Sequence, residues 1–241
     1  MASNETIDVQ ERGRVAIITL NRPTVRNAMD SIMVRELAES VRSLEKQDEI
    51  QSILLTGSAP AFCSGIDTRQ PFPGDLRDLY QHGFADREAV GLCRKPVVAA
   101  LSGAAFGAGF ELALMADIIF ADASVRFSLP EVTRQTMPGF GGTQRLARLV
   151  GRIRAMEICM SGRVVAAEEA LRIGLVNQLL EPSELLEHAF KFAEAIAAAA
   201  PVTMMIKEAI NAADEGSLAS GLRMERRLSQ MSLNIRKSTP T

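Results

Sequence analysis

Cysteine and histidine are scarce in this 241-residue chain, and their scarcity narrows the kinds of site it can hold. The three cysteines, Cys63, Cys93 and Cys159, show no CxxC spacing. The two histidines, His82 and His188, stand far apart. The sequence therefore offers no ligand set typical of a metal site. An odd number of scattered cysteines is typical of a reducing compartment, so we expect a cytoplasmic protein.

Long hydrophobic runs and an excess of one charge are missing as well. No stretch reaches the roughly 18 uninterrupted apolar residues of a membrane span, and the nearest, residues 96–121, is interrupted by Glu111 and Asp117. The first fifteen residues hold acidic side chains and no apolar run, which is not the pattern of a signal peptide. The net charge of −2 gives no support for nucleic acid or an anionic membrane as a partner.

Short apolar runs are what the sequence has instead. They predict buried strands at residues 15–20, 52–56, 97–101 and 117–121. Segments of helical spacing alternate with them, and Asp30 is a suitable N-cap for the first helix. Continuous apolar strands between helices favour an α/β fold with parallel strands covered on both faces. Three further helices are predicted at residues 183–199, 201–213 and 217–234.

Two glutamates twenty residues apart are the most informative polar residues. Glu111 follows a glycine-rich turn at residues 103–109, and Glu131 precedes a second such turn at residues 138–142. Each has an ordinary alternative, Glu111 as a charge in a first helical turn and Glu131 as a cap. The apolar neighbours of Glu111 favour burial, however, and a buried carboxylate costs several kcal/mol unless it has partners or a role. A pair of such carboxylates suits acid/base chemistry on water.

The glycine turns can also present backbone N–H groups to a ligand. The first has GxxxGxG spacing rather than the GxGxxG of dinucleotide sites, and no phosphate loop of the GK[ST] kind is present. We therefore expect the turn to aim the Ala108 N–H into a cleft, at a helix start that adds partial positive charge. Gly65 would present the Ile66 N–H in the same way, although an ordinary turn after a strand is the favoured explanation of that motif when it is taken alone.

Taken together, the motifs resemble the enoyl-CoA hydratase/isomerase (crotonase) superfamily. The resemblance extends from Asn21 to about Arg227. It is carried by Phe62-Cys-Ser-Gly-Ile-Asp67, Pro96-Val-Val-Ala-Ala-Leu-Ser-Gly103, Gly107-Ala-Gly-Phe-Glu111, Ala116-Asp-Ile-Ile-Phe-Ala121 and Phe127-Ser-Leu-Pro-Glu131 with Pro138 to Leu146. It implies a crotonase-like spiral of repeated ββα units over residues 1–182. Residues 183–241 would then form a C-terminal α-helical region with a shortened tail, which mediates a homotrimer or a dimer of trimers.

The same resemblance implies an acyl-CoA substrate, with CoA as part of the substrate and no separate cofactor or metal. It places an oxyanion hole at the backbone N–H groups of Ile66 and Ala108, where relatives usually have alanine and glycine. It makes Glu131 the proton donor and Glu111 the residue that acts on water. The implied CoA-binding residues are Arg22, Arg26, Ala28, Ser64, Ile66, Asp67, Thr68, Arg69 and Gly107.

Retention of both glutamates favours an enoyl-CoA hydratase, which adds water across the 2,3 double bond of an enoyl-CoA thioester. The alternative is a 3-enoyl-CoA isomerase or another acyl-CoA lyase of the same fold. Some relatives bind RNA, but the predicted helix at residues 31–47 is balanced in charge and gives no basic face for that role. Residues 70–90 are expected to set the acyl chain length.

Overall fold

The structure is a computed structural model that describes residues 4–69 and 84–238. Residues 70–83, most of the segment that is expected to set the acyl chain length, lie outside these residues, and His82 is among them. Short helices lie at residues 84–87 and 89–92.

Nine strands of the described residues form two sheets. The strands are β1 Ile7–Arg12, β2 Val15–Leu20, β3 Ser52–Gly57, β4 Val97–Leu101, β5 Ala104–Phe106, β6 Ile118–Asp122, β7 Arg126–Ser128, β8 Val165–Ala166 and β9 Gln178–Leu180. One sheet has the order β1-β2-β3-β4-β6-β9 and the other the order β5-β7-β8. Strands β2, β3, β4, β6 and β9 are parallel, which confirms the predicted arrangement, and β1 is antiparallel to β2.

The helices follow the predicted order. They are α1 Ser31–Glu45, α2 Phe84–Arg87, α3 Ala89–Leu92, α4 Ala108–Ala113, α5 Gly142–Val150, α6 Arg152–Ser161, α7 Ala167–Arg172, α8 Pro182–Ala198, α9 Val202–Glu215 and α10 Leu218–Ser238, with short 3-10 helices at Pro23–Val25 and Pro130–Arg134. Asp30 is the N-cap of α1, since its carboxylate accepts the Met33 N–H at 2.8 Å. The three predicted C-terminal helices correspond to α8, α9 and α10.

A glycine turn between β4 and β5 carries the chain from the large sheet to the small one. Gly103 has φ +65°, and a Cβ there would lie 2.3 Å from the Pro60 carbonyl oxygen, so only glycine fits. The next turn repeats the step from β6 to β7. Each of these two repeats thus adds one strand to each sheet and ends in a helix, which confirms the predicted spiral of ββα units.

Two apolar clusters form the core. The larger one lies between the large sheet, α1 and the small sheet, and α8 packs on the other face of the large sheet. Residues 182–198 therefore complete the core as well as beginning the C-terminal helical region. Helix α9 is anchored by Lys207, whose Nζ lies 2.7 Å from Asp117 Oδ2 and 3.1 Å from the Lys95 carbonyl oxygen. The division of the chain at residue 182 stays a prediction.

Strand β1 was not predicted from the sequence. Of its six residues only Ile7 is buried, because β1 is an edge strand whose polar side chains face solvent. In the part of the chain that the structure describes, no single helix has the length and composition to cross a membrane. Only α8 and α9 taken together meet that test, and they are bent by 99° at the break between them.

Candidate active site

Two backbone segments meet at the end of β5 and build one side of the site. The Cys63 N–H donates to the Ala104 carbonyl at 2.9 Å, and the Phe106 N–H donates to the Cys63 carbonyl at 3.0 Å. Gly65 then turns the chain with φ +102°, where a Cβ would lie 2.9 Å from the Phe106 carbonyl oxygen and 3.9 Å from the Ala108 nitrogen. The pairing therefore sets the residue after Gly65 beside the start of α4.

The two predicted oxyanion donors lie on these segments. Among the described residues, neither the Ile66 N–H nor the Ala108 N–H donates a hydrogen bond to the protein. Ile66 forms a bridge to Met29 in which the Met29 N–H donates to the Gly65 carbonyl and the Asp67 N–H donates to the Met29 carbonyl, so the bridge does not use the Ile66 N–H. Ala108 is the first residue of α4, where the helix provides no acceptor for the N–H. Two adjoining backbone donors without protein acceptors can bind a negative oxygen.

Gly107 links this region to β7. Its N–H donates to the Ser128 carbonyl at 2.8 Å, and its own carbonyl accepts the Glu111 N–H at 2.9 Å. Its backbone, with φ 51° and ψ −124°, is in a region that other residues rarely adopt. All six residues of α4 are buried, so the Glu111 side chain leaves the helix inside the protein.

Glu111 is held by the second glycine turn. The side chain is buried, and Oε1 accepts the Phe140 N–H and the Gly142 N–H, each at 2.8 Å. Since Gly141, the N-cap of α5, has no side chain, the Glu111 carboxylate satisfies backbone N–H groups at the start of that helix. A Cβ on Gly142 would lie 2.8 Å from Oε1, which explains the glycine there. The sequence showed both turns, but not that the second one holds Glu111.

Glu131 is held far less firmly. It lies in the 3-10 helix after β7, and Oε2 is buried without a hydrogen-bond partner among the described residues. In the part of the chain that the structure describes, the one backbone group that interacts with its carboxylate is its own N–H. A Cβ on Gly107 would lie 2.8 Å from Glu131 Oε1, so the first glycine turn makes room for this carboxylate. Glu131 thus lies beside the turn from which α4 and Glu111 begin.

The surroundings favour the protonated forms of both carboxylates. Burial raises the pKa of Glu111, the N–H groups of Gly142 and Phe140 oppose that rise, and the charge of Glu131 adds to it. Burial also raises the pKa of Glu131, against the opposing effects of its own N–H and of Arg134. Like charges close together disfavour ionisation of both groups. The pair can therefore hold a proton at a pH where an exposed glutamate would have lost it.

A groove of ≈ 270 Å³ opens beside Ile66. Its lining residues are Thr24, Val25, Arg26, Ala28, Ser64, Ile66, Asp67, Thr68 and Arg69. The structure thus brings together most of the residues that the resemblance implied for CoA. Arg22 and Gly107 do not line this groove.

The cations at the groove differ in their contacts. Arg69 is 65% exposed and lies at the rim, where its Nε and Nη2 donate to both carboxylate oxygens of Asp67 at 2.9 and 3.0 Å. That pairing lowers the pKa of Asp67 to about 2. Arg22, which is 16% exposed, lies 3.1 Å from Asp30 and 3.2 Å from Asp67. Arg22 therefore stabilises the wall of the groove by linking Asp30 to Asp67.

Asn27 is a structural residue of this wall that the sequence motifs did not identify. It is fully buried, and its Nδ2 donates to the carbonyl oxygens of Ser58 at 2.8 Å and Ala61 at 2.7 Å. Its φ of 54° lies in the left-handed region, which asparagine tolerates better than most residues. An asparagine beside a proline-containing turn is the signal that could have identified it.

Unpaired backbone donors beside two proton-holding carboxylates define an enzyme site for reactions in which a carbonyl oxygen gains negative charge. The family model for enoyl-CoA hydratase/isomerase matches residues 10–238. A Rhizobium meliloti (strain 1021) protein, "Probable enoyl-CoA hydratase", is 44% identical over 95% of this chain and 90% of its own length. The chain belongs to the enoyl-CoA hydratase/isomerase family.

Solved structures agree with this membership. The enoyl-CoA hydratase from Bacillus anthracis has a TM-score of 0.89 and 31% identity, with 98% of each chain covered. A Thermobifida fusca YX protein of the same family, crystallised in complex with CoA, has a TM-score of 0.87 and 29% identity, and the match covers 97% of this chain and 95% of that one.

Proposed function

We propose that the chain is an enoyl-CoA hydratase, which adds water across the 2,3 double bond of a 2-enoyl-CoA to give a 3-hydroxyacyl-CoA. The observation that carries the proposal is the pairing of Glu111 with Glu131 beside the Ile66 and Ala108 N–H groups. Relatives that carry the hydratase name over most of the chain support it. So does the CoA bound by a structural neighbour.

The reaction uses the donors and the carboxylates together. The Ile66 and Ala108 N–H groups donate to the thioester carbonyl oxygen, which makes C3 electrophilic and stabilises the enolate oxygen that forms. The water oxygen bonds to C3 as a carboxylate takes one of its protons. The electron pair of the double bond moves toward C2, which takes a proton from the other carboxyl group. One water is thereby added and the total charge of the two carboxyl groups is unchanged, and transfer of one proton from the first group to the second restores the starting protonation.

The hydrogen bonds of the two glutamates support one assignment of roles. Two backbone N–H groups fix Glu111 Oε1 and oppose the rise of its pKa by burial, so of the two carboxyl groups Glu111 suits the one that orients and deprotonates water. Glu131 has no comparable donors among the described residues and suits the protonated form that donates to C2. Isomerisation of a 3-enoyl-CoA needs only one carboxylate, which moves a proton along the acyl chain. In that reaction Glu111 would have no catalytic role.

The groove beside Ile66 is proposed as the CoA site, with Arg69 as the cation for a phosphate group. We expect Arg69→Ala to raise KM for CoA thioesters about 5-fold and to leave KM for the matching pantetheine thioesters, which lack those phosphates, nearly unchanged. The matched control is Arg12→Ala, because Arg12 is also exposed, at 57%, and paired with Glu187. Equal effects of Arg69→Ala on both kinds of thioester, measured by steady-state kinetics, would show that Arg69 is a surface charge outside the binding site.

The remaining features of the proposal rest on fewer observations. A homotrimer or dimer of trimers is supported by apolar side chains that α9 and α10 leave exposed, namely Ile206 at 52%, Ile210 at 65% and Leu218 at 79%. A cytoplasmic location is proposed because the three cysteines are free thiols. The chemistry above needs no metal or cofactor, since CoA belongs to the substrate, and we propose no nucleic-acid or membrane partner.

A panel of enoyl-CoA thioesters tests the proposal. It varies the acyl chain length and places the double bond at C2 or C3. A hydratase consumes the 2-enoyl thioesters, with loss of the absorbance of the conjugated thioester. Activity on the 3-enoyl thioesters alone, with a gain of that absorbance, would identify the isomerase instead.

A further inference from the structure

The carboxyl group of Glu131 has no external hydrogen bond among the described residues to hold it. Oε2 is buried without a partner, and the one interacting backbone donor is the N–H of Glu131 itself. Glu111, by contrast, has two donors from another segment. The position of the Glu131 carboxyl group therefore depends on how the 3-10 helix Pro130–Arg134 is fixed to the rest of the protein.

Ser128, the last residue of β7, is buried and joins three parts of the site. Its carbonyl oxygen accepts the Gly107 N–H at 2.8 Å, at the turn that precedes the Ala108 donor. Its Oγ donates to the Gly162 carbonyl at 2.8 Å, and Gly162 is the C-cap of α6. Within the described chain, this is the one side-chain hydrogen bond that links residues 127–136 to a residue outside that range.

Gly162 lies directly against the 3-10 helix that carries Glu131. A Cβ on Gly162 would lie 3.1 Å from Val132 Cγ1 and 3.4 Å from Pro130 Cα, so the end of α6 and this 3-10 helix are in close contact. The hydrogen bond from Ser128 Oγ ends on the carbonyl oxygen of this same Gly162. It fixes the chain three residues before Glu131 to the same residue that packs against Pro130.

We propose that Ser128 is a positioning residue for Glu131: its hydroxyl joins the end of β7 to the end of α6 and so sets the place of the Glu131 carboxyl group beside Gly107. The inference rests on the proposed function, because Glu131 is taken as the group that delivers the proton to C2. A small displacement of an acid/base group lowers the chemical rate steeply, while binding of the CoA part in a separate groove is unaffected. Loss of the hydroxyl should thus lower kcat and leave KM unchanged.

Ser128→Ala removes the hydroxyl and keeps the backbone carbonyl that binds Gly107. Ser52→Ala is a matched control, because Ser52 is also buried and its Oγ donates to a backbone carbonyl, that of Ala193, at 2.9 Å, on the far side of the large sheet. We expect Ser128→Ala to lower kcat for hydration about 10-fold with KM within 2-fold of wild type. Ser52→Ala should change neither constant by more than about 2-fold, since its hydrogen bond is remote from the site.

Hydrogen exchange followed by mass spectrometry gives a second readout that does not depend on turnover. Peptides covering residues 127–136 should exchange faster in Ser128→Ala than in wild type, and should be unchanged in Ser52→Ala. Equal kcat in the two variants, a loss expressed in KM, or unchanged exchange at residues 127–136 would each overturn the positioning role. If the wild type itself hydrates no enoyl-CoA, the proposed function fails, and the exchange data alone then decide whether Ser128 holds this segment.

Discussion

Glu131→Gln will lower kcat for the hydration of a 2-enoyl-CoA by at least about 10²-fold, the usual effect of removing a general acid or base. The amide has nearly the shape of the carboxyl group and fits beside Gly107, but it cannot deliver a proton to C2. KM should change little, because the CoA groove does not include Glu131. Steady-state kinetics on crotonyl-CoA measure both constants.

The stability of Glu131→Gln relative to wild type should also depend on pH, and this dependence is a control for the kinetic result. Burial raises the pKa of Glu131 above the ordinary 4.5, so the folded protein favours the neutral form. The stabilisation from that neutral form is complete below pH 4.5 and is lost as the pH rises through the raised pKa of the folded state. Glutamine stays neutral throughout, so thermal unfolding should show similar stability at pH 4 and a more stable variant at pH 8. Turnover near that of the wild type would contradict the catalytic role of Glu131. A variant less stable than the wild type at pH 8 would contradict the claim that burial disfavours the ionised form of Glu131.

Glu111→Gln should also lower kcat by at least about 10²-fold, because the side chain can no longer take a proton from water. The glutamine carbonyl can still accept the Phe140 and Gly142 N–H groups, so the turn at the start of α5 should keep its structure. Glu111→Ala should lose the same activity and, in addition, stability, since each unsatisfied buried donor costs roughly 1–3 kcal/mol.

Comparison of the two Glu111 variants separates the catalytic role from the structural one. Denaturant unfolding should show a loss of free energy of unfolding for the alanine variant and little or none for the glutamine variant. If Glu111→Gln kept full turnover, Glu111 would be only a cap for α5, a structural role that differs from the charge in its own first helical turn that the sequence left open. The structure shows that Glu111 does contact the start of that helix, so the kinetics must decide whether it has a second role.

The fold could be predicted wherever local sequence determined it. The buried parallel strands are continuous apolar runs, and Asp30 caps α1 by a hydrogen bond to Met33, three residues away. Strand β1 escaped prediction because an edge strand exposes its polar residues, and β5 and β7 have only three residues each. Short strands of this kind are determined by their neighbours in the sheet rather than by their own pattern.

The partners in the site could not be predicted, because they come from distant parts of the chain. The Phe140 and Gly142 N–H groups lie 29 and 31 residues from Glu111, and no local pattern pairs them. The same holds for Arg22, whose guanidinium contacts Asp67 at a separation of 45 residues. Sequence identified the chemical groups and the glycines beside them, whereas the hydrogen bonds that distinguish Glu111 from Glu131 required the tertiary structure.

Turnover of a 2-enoyl-CoA in water enriched in ¹⁸O tests the central claim most directly, since hydration must transfer a water oxygen to C3. We predict that the purified protein converts crotonyl-CoA to 3-hydroxybutyryl-CoA with one ¹⁸O in the C3 hydroxyl group, detected by mass spectrometry, and that Glu111→Gln and Glu131→Gln each slow this incorporation by at least about 10²-fold. Conversion of a 3-enoyl-CoA to its 2-enoyl isomer without any ¹⁸O in the acyl chain would contradict the account.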